Sequence, residues 1–133
     1  MRIRVEESLN SYGLFPMPGG DGRVACRQVQ QVVVIDLKGQ LAEGQSVHLL
    51  HDTIREWLDE GAKDFAINLA GISSADSYTL GGLAGAYNLI KQAGGRIKFF
   101  AASERLIRTF KKLHLDTVLE LLENEASALS DFY

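Results

Sequence analysis

Stretches of consecutive hydrophobic residues alternate along this chain with stretches in which hydrophobic residues recur every three or four positions. The first pattern predicts buried strands, and the second predicts amphipathic helices. The predicted strands are, in order, RVACRQV, VVVIDLKG, DFAINLAGI and RIKFFAA. Only Gln30 and Gln31 separate the first two strands, so we expect these two to form a hairpin. The second strand is apolar on both faces, which is typical of a central strand.

Three amphipathic helices are predicted. The first ends at Gly61 and the second at Gly94 and Gly95, because glycine commonly terminates helices. Ser103 is expected to cap the third helix, ERLIRTFKKL. The predicted apolar faces are, in order, Val47, Leu50, Ile54, Trp57 and Leu58; Leu80, Leu83, Ala84, Tyr87 and Ile90; and Leu106, Ile107, Phe110 and Leu113.

The alternation of strands and helices predicts an α/β fold. We expect a mixed, mostly parallel β-sheet with the hairpin at one edge and helices packed against it. DTVLELL is predicted to add an edge strand, and NEASALSDF a short terminal helix. Both prolines and several glycines fall in NSYGLFPMPGGDG, which predicts a loop. We therefore expect residues 1–23, with a short strand IRVEES, to be an N-terminal extension and residues 24–133 to be the domain.

Composition excludes several classes of function. The 133 residues, of which 46% are hydrophobic and 23% charged, match one soluble globular domain. A net charge of -3 gives no sign of the basic surface that binds nucleic acid or anionic membranes. The apolar runs are far shorter than the roughly 20 residues that span a bilayer, and MRIRVEES lacks the core of a secretion signal. We expect a cytoplasmic protein with no nucleic acid or membrane partner, and an inert Cys26.

Ser77 is the first candidate for chemistry. A serine hydrolase needs a base within hydrogen-bond reach of its serine, and the available histidines are His48, His51 and His114. The segment GISSADSYTLGGL lacks the GxSxG elbow that exposes a nucleophile in α/β-hydrolases. We therefore expect no catalytic residue, and a Ser77 hydrolase is a distant alternative.

Metal and cofactor sites have little support in the sequence. His48 and His51 lie three apart with Asp52 beside them, but zinc sites need three or four converging ligands. Neither CxxC nor HExxH occurs, and GGLAG lacks the spacing of a phosphate-binding loop. We expect no metal and no cofactor, with nucleotide binding by the loops at the carboxyl ends of the strands as an alternative.

Asp76 and Ser77 fall where the strand DFAINLAGI gives way to the second helix. Either residue is suited to cap that helix, which contributes about 1 kcal/mol. A hydroxyl at this junction is also a favourable place for a phosphoryl group, because unpaired backbone N–H groups and the helix dipole stabilise negative charge. Gly81, Gly82 and Gly85 follow, and each costs about 1 kcal/mol relative to alanine in a helix. Packing against the sheet and a low surface for a partner explain these glycines equally well.

From residue 24 to about residue 130, the chain resembles the STAS domain of bacterial anti-sigma factor antagonists. VVVIDLKGQL resembles the family's valine-rich strand that ends in GxL, and FAINLAGISSADSYTLGGL resembles the strand that leads to IDSSGLG. AYNLIKQAGGRIKFFAASERLIRTFKKLHLDTVLEL resembles the following helix, double-glycine stop, strand and closing helix. The resemblance rests on the order and spacing of these motifs, since none is diagnostic alone.

The resemblance implies a regulatory protein and not an enzyme. In that family an anti-sigma factor that is itself a serine kinase phosphorylates the serine after the aspartate, and a serine phosphatase removes the phosphate. On this correspondence Ser77 is the phosphoacceptor and Asp76 assists recognition or local geometry. The expected partner-binding residues are Asp76, Ser77, Tyr78, Thr79, Gly81, Gly82 and Gly85.

Some residues depart from the family pattern. Tyr78 stands where the family usually has a small residue and Thr79 where it often has glycine, so a bulkier docking surface is expected, with Thr79 as a secondary acceptor. Ala75 replaces a larger apolar residue, and Gln30 and Gln31 replace a turn that contains glycine. The alternative function is a STAS interaction module in another bacterial signalling complex, such as a stressosome-like scaffold or a two-component output.

Overall fold

The computed structural model describes residues 23–39, 44–72 and 76–133. Within these residues the strands are β1 (Arg23–Val29), β2 (Val32–Gly39), β3 (Asp64–Ile72), β4 (Arg96–Phe100) and β5 (Leu121–Leu122). The α-helices are α1 (Gly44–Asp59), α2 (Ser77–Gln92), α3 (Glu104–Lys112) and α4 (Glu125–Ser130). The predicted extension, with its strand IRVEES, lies outside the described residues except for Arg23, which begins β1.

The sheet has the strand order β1-β2-β3-β4-β5. Strand β1 pairs with β2 in the antiparallel direction, and the remaining pairs are parallel. The mixed, mostly parallel α/β fold predicted from the sequence is therefore confirmed. The hairpin turn at Gln30 and Gln31 needs no glycine, because Gln30 itself adopts a left-handed conformation with φ of 54°.

The main core lies between one face of the sheet and α1, α2 and α3. Ile35, Phe65 and Phe99 from the central strands are fully buried there. Cys26 belongs to the same core, and burial raises the pKa of its thiol to about 12, so it stays protonated at neutral pH. Leu113, which we predicted on the apolar face of the third helix, is 52% exposed. That prediction is wrong because α3 ends at Lys112, so Leu113 is the cap residue and leaves the helical face.

The C-terminal segment covers part of the other face of the sheet. Ala128 and Phe132 pack there against Val34 and Phe100. The Arg27 guanidinium donates hydrogen bonds to Asp36 and to Glu125 at the start of α4, at distances of 2.6 to 3.1 Å. The bonds from Arg27 lower the pKa of Glu125, which keeps this ion pair charged at neutral pH.

The predicted edge strand DTVLELL is largely replaced by a turn. Residues Leu115–Thr117 form a short 3-10 helix, and only Leu121 and Leu122 pair with β4. The backbone N–H groups of Val118 and Leu119 both donate to the carbonyl of Leu115, so this segment satisfies its hydrogen bonds locally. The predicted terminal helix is confirmed as α4, which Asn124 caps.

Candidate functional site

The junction between β3 and α2 holds Asp76 and Ser77 at the carboxyl end of a parallel strand. Asp76 is the N-cap of α2, and its Oδ1 accepts a hydrogen bond of 2.9 Å from the backbone N–H of Thr79. The Asp76 carbonyl also accepts a bond of 3.0 Å from the N–H of Leu80. Of the two residues that the sequence left as possible caps, Asp76 has that role. Ser77 is the first helical residue and its side chain is exposed.

A shallow depression of about 230 Å³ lies between the first turns of α1 and α2, and we call it the Ser77 depression. Its lining residues are Val47 and His48 from α1, and Ser77, Tyr78, Gly81 and Gly82 from α2. Tyr78 is 59% exposed, so an exposed aromatic side chain lines the same depression as Ser77. Neither Val47 nor His48 could be placed at this site from the sequence, because some 30 residues separate them from Ser77 along the chain.

Of the three glycines that we expected to bind the partner, two pack against α1 and not against the sheet. A Cβ built on Gly85 lies 2.6 Å from Cε1 of His51, and one built on Gly82 lies 3.1 Å from Cγ2 of Val47. Nε2 of His51 also lies within hydrogen-bonding distance, 3.0 Å, of the Gly82 carbonyl oxygen. Gly81 has open space beside it, with nothing within 4 Å. Gly81 therefore contributes to the exposed surface, whereas Gly82 and Gly85 let the two helices approach.

Thr79 lies inside the protein. It is 0% exposed, and its hydroxyl is among the buried side-chain groups of the described residues that have no hydrogen-bond partner. This burial argues against the expectation that Thr79 is a second acceptor, because a kinase cannot reach its Oγ1 in the folded protein.

Replacing Thr79 with valine is expected to leave the free energy of unfolding unchanged or to raise it by up to about 1 kcal/mol. Valine keeps the shape of the side chain and removes a buried hydroxyl that has no partner. Urea denaturation measures the change. The matched control is Thr109→Val, which removes the bond of 3.0 Å from its hydroxyl to the Arg105 carbonyl and should give no gain. A loss above about 1 kcal/mol in Thr79→Val would show that its hydroxyl is satisfied.

The histidines do not assemble into a catalytic or metal site in the described part of the chain. No group of three or more His, Cys, Asp or Glu side chains in residues 23–39, 44–72 and 76–133 is placed to hold a metal ion. His48 lines the same depression as Ser77, but His51 lies between the helices and His114 precedes the 3-10 turn. Among the helices in these residues, none combines the length and apolar character required to cross a bilayer.

The comparisons with known proteins agree with the observed fold. A model of the STAS domain family matches residues 23–128. The anti-sigma-B factor antagonist of Bacillus subtilis (strain 168) is 29% identical over 98 residues, which cover 74% of this chain and 88% of that protein.

Two solved structures share the architecture. An anti-sigma factor antagonist from Mycobacterium paratuberculosis superposes with a TM-score of 0.71 at 18% identity, covering 88% of this chain and 97% of that one. The Bacillus cell fate determinant SpoIIAA in its phosphorylated form gives a TM-score of 0.64 at 20% identity, covering 83% and 99% of the two chains. At these identities the similarity shows a common fold.

Proposed function

The chain belongs to the STAS domain family, and from this premise we propose that it is an anti-sigma factor antagonist that phosphorylation of Ser77 switches off. The partner is an anti-sigma factor that is also a serine kinase. The observation that carries the proposal is the exposed Ser77 hydroxyl on the first turn of α2, beside the Ser77 depression. The relatives named above, which are antagonists of anti-sigma factors, support the same assignment.

In the proposed reaction the kinase supplies the catalytic groups and this protein supplies the acceptor hydroxyl. Ser77 Oγ attacks the γ-phosphorus of ATP, the bond between that phosphorus and the bridging oxygen of ADP breaks, and a base of the kinase takes the hydroxyl proton. Asp76 holds the start of α2 through its bond to the Thr79 N–H and so sets the position of the acceptor. A serine phosphatase then hydrolyses the phosphate ester with water, which restores the Ser77 hydroxyl and releases inorganic phosphate.

Phosphorylation of Ser77 is expected to abolish kinase binding because it places negative charge at the binding surface. Phosphorylation adds about -1.5 to -2 charges to Ser77. In the unmodified protein four of the six described residues that line the depression are Val47, Tyr78 and two glycines, which suit an apolar contact with the kinase. An exposed aromatic residue such as Tyr78 is a typical anchor in an interface. A phosphate here would have to lose its water in the complex without a matching charge on the kinase, so the complex dissociates.

Incubation with the anti-sigma kinases encoded in the same genome and with ATP tests the proposal. We expect one phosphate per chain, located at Ser77 by mass spectrometry and absent from Ser77→Ala. The matched control is Ser103→Ala, which removes another exposed serine at a helix start and should still accept the phosphate. Stable assembly with other signalling proteins and no transfer to Ser77 would contradict the proposal and identify the chain as a scaffold module.

A further inference from the structure

His48 lines the Ser77 depression but has no part in the proposed recognition of the kinase. It lies on the first half of α1, and its side chain is exposed. The neighbouring residues on the same helix are occupied by contacts with α2. Val47 contacts Gly82, and His51 packs on Gly85 within reach of the Gly82 carbonyl. His48 is therefore a polar side chain at the depression that comes from α1, whereas Ser77 and Tyr78 come from α2.

Few basic residues occur in the two chain segments that contribute the lining of the depression. Neither residues 39–54, which include the first turns of α1, nor residues 64–90, which include β3 and most of α2, contain lysine or arginine. The basic side chains of these two segments are His48 and His51. His51 is held between the helices, so among the described residues that line the depression His48 is the one that can carry a positive charge.

We propose that His48 binds the phosphoryl group of phosphorylated Ser77 and so ties the first turns of α1 and α2 together in the modified protein. The inference rests on the proposed function, because it concerns the phosphorylated state of the same serine. A histidine has an ordinary pKa of about 6.5 and a phosphoserine a second pKa of about 6. Each group favours the charged form of the other, so the pair forms near neutral pH.

Two acidic residues of the described part of the chain lie close in sequence to this pair. Asp52 lies one turn further along α1, where it accepts a bond of 3.1 Å from Arg55. Asp76 precedes Ser77 and accepts the Thr79 N–H. Both carboxylates are negatively charged and would repel a phosphate on Ser77. The contribution of His48 is therefore measured as a difference between variants in which Asp52 and Asp76 are kept.

The test uses the full chain with phosphoserine installed at position 77 during translation, so it does not depend on any kinase. A titration followed by phosphorus NMR should give a second pKa of the phosphoserine lower by about 0.5 to 1 in the otherwise wild-type protein than in His48→Gln. Phosphorylation should also raise the melting temperature of the wild-type protein more than that of His48→Gln. The control His114→Asn alters an exposed histidine elsewhere and tolerates its left-handed backbone, so its titration should match wild type.

Identical phosphoserine titrations in the wild-type protein and His48→Gln would overturn the inference and leave the proposed function standing. A difference between the two titrations, combined with no transfer from any anti-sigma kinase to Ser77, would support the inference and contradict the proposed function. The depression would then bind a phosphoserine, and the proposed partner would be wrong.

Discussion

Ser77→Glu is expected to bind the anti-sigma kinase at least about 100-fold more weakly than the wild-type protein does, which corresponds to about 2.7 kcal/mol. The carboxylate places a permanent charge on the first turn of α2, at the edge of the Ser77 depression. An unpaired charge in an interface costs several kcal/mol, and glutamate carries less charge than a phosphate. Titration calorimetry with the purified kinase measures the difference, and phosphorylated wild-type protein should show a larger loss.

The loss of binding in Ser77→Glu should not come from unfolding. A carboxylate in the first turn of a helix interacts favourably with the helix dipole, so the free energy of unfolding should stay the same or rise by up to about 1 kcal/mol. Asn88→Glu is the matched control, because it adds the same charge at an exposed position near the other end of α2. Equal weakening by both variants would mean that net charge, and not the site, controls binding.

Gly85→Ala and Gly81→Ala are expected to change stability in opposite directions, although both place alanine on the same helix. Alanine at position 81 meets nothing within 4 Å and should stabilise the protein by about 0.5 to 1 kcal/mol through its helix propensity. Alanine at position 85 would lie 2.6 Å from Cε1 and 2.8 Å from Nε2 of His51. The imidazole must then move away from the Gly82 carbonyl, so we expect a loss of about 1 to 2 kcal/mol.

Urea denaturation of both glycine variants measures these changes, and a double-mutant cycle assigns the cause. If the steric conflict with His51 is responsible, replacing His51 with alanine in the Gly85→Ala background should recover part of the loss. A Gly85→Ala protein as stable as Gly81→Ala would show that the two helices adjust freely. Gly85 would then lack the role in helix approach that the structure gives it.

Several elements could be predicted because each depends on residues that are close in sequence. The hairpin of β1 and β2, strand β3, and the cap at Ser103 follow from apolar runs, short connections and hydroxyl capping. The prediction failed where two local preferences compete. DTVLELL has a β-rich composition, yet most of it lies in or beside a 3-10 turn whose backbone N–H groups bond to the Leu115 carbonyl.

The sequence alone determined that Asp76 and Ser77 lie between a buried strand and a helix, because hydrophobic spacing and capping chemistry are local properties. It also determined that glycines follow them.

Only the tertiary structure decided what each residue does there. Thr79 is buried, Gly85 packs against His51, and Gly81 has no atom close to its Cβ position. The structure likewise brought His48 to the edge of the depression that contains Ser77. The physical reason is that packing of α1 against α2 joins residues some 30 positions apart, and the period of either helix carries no information about that contact.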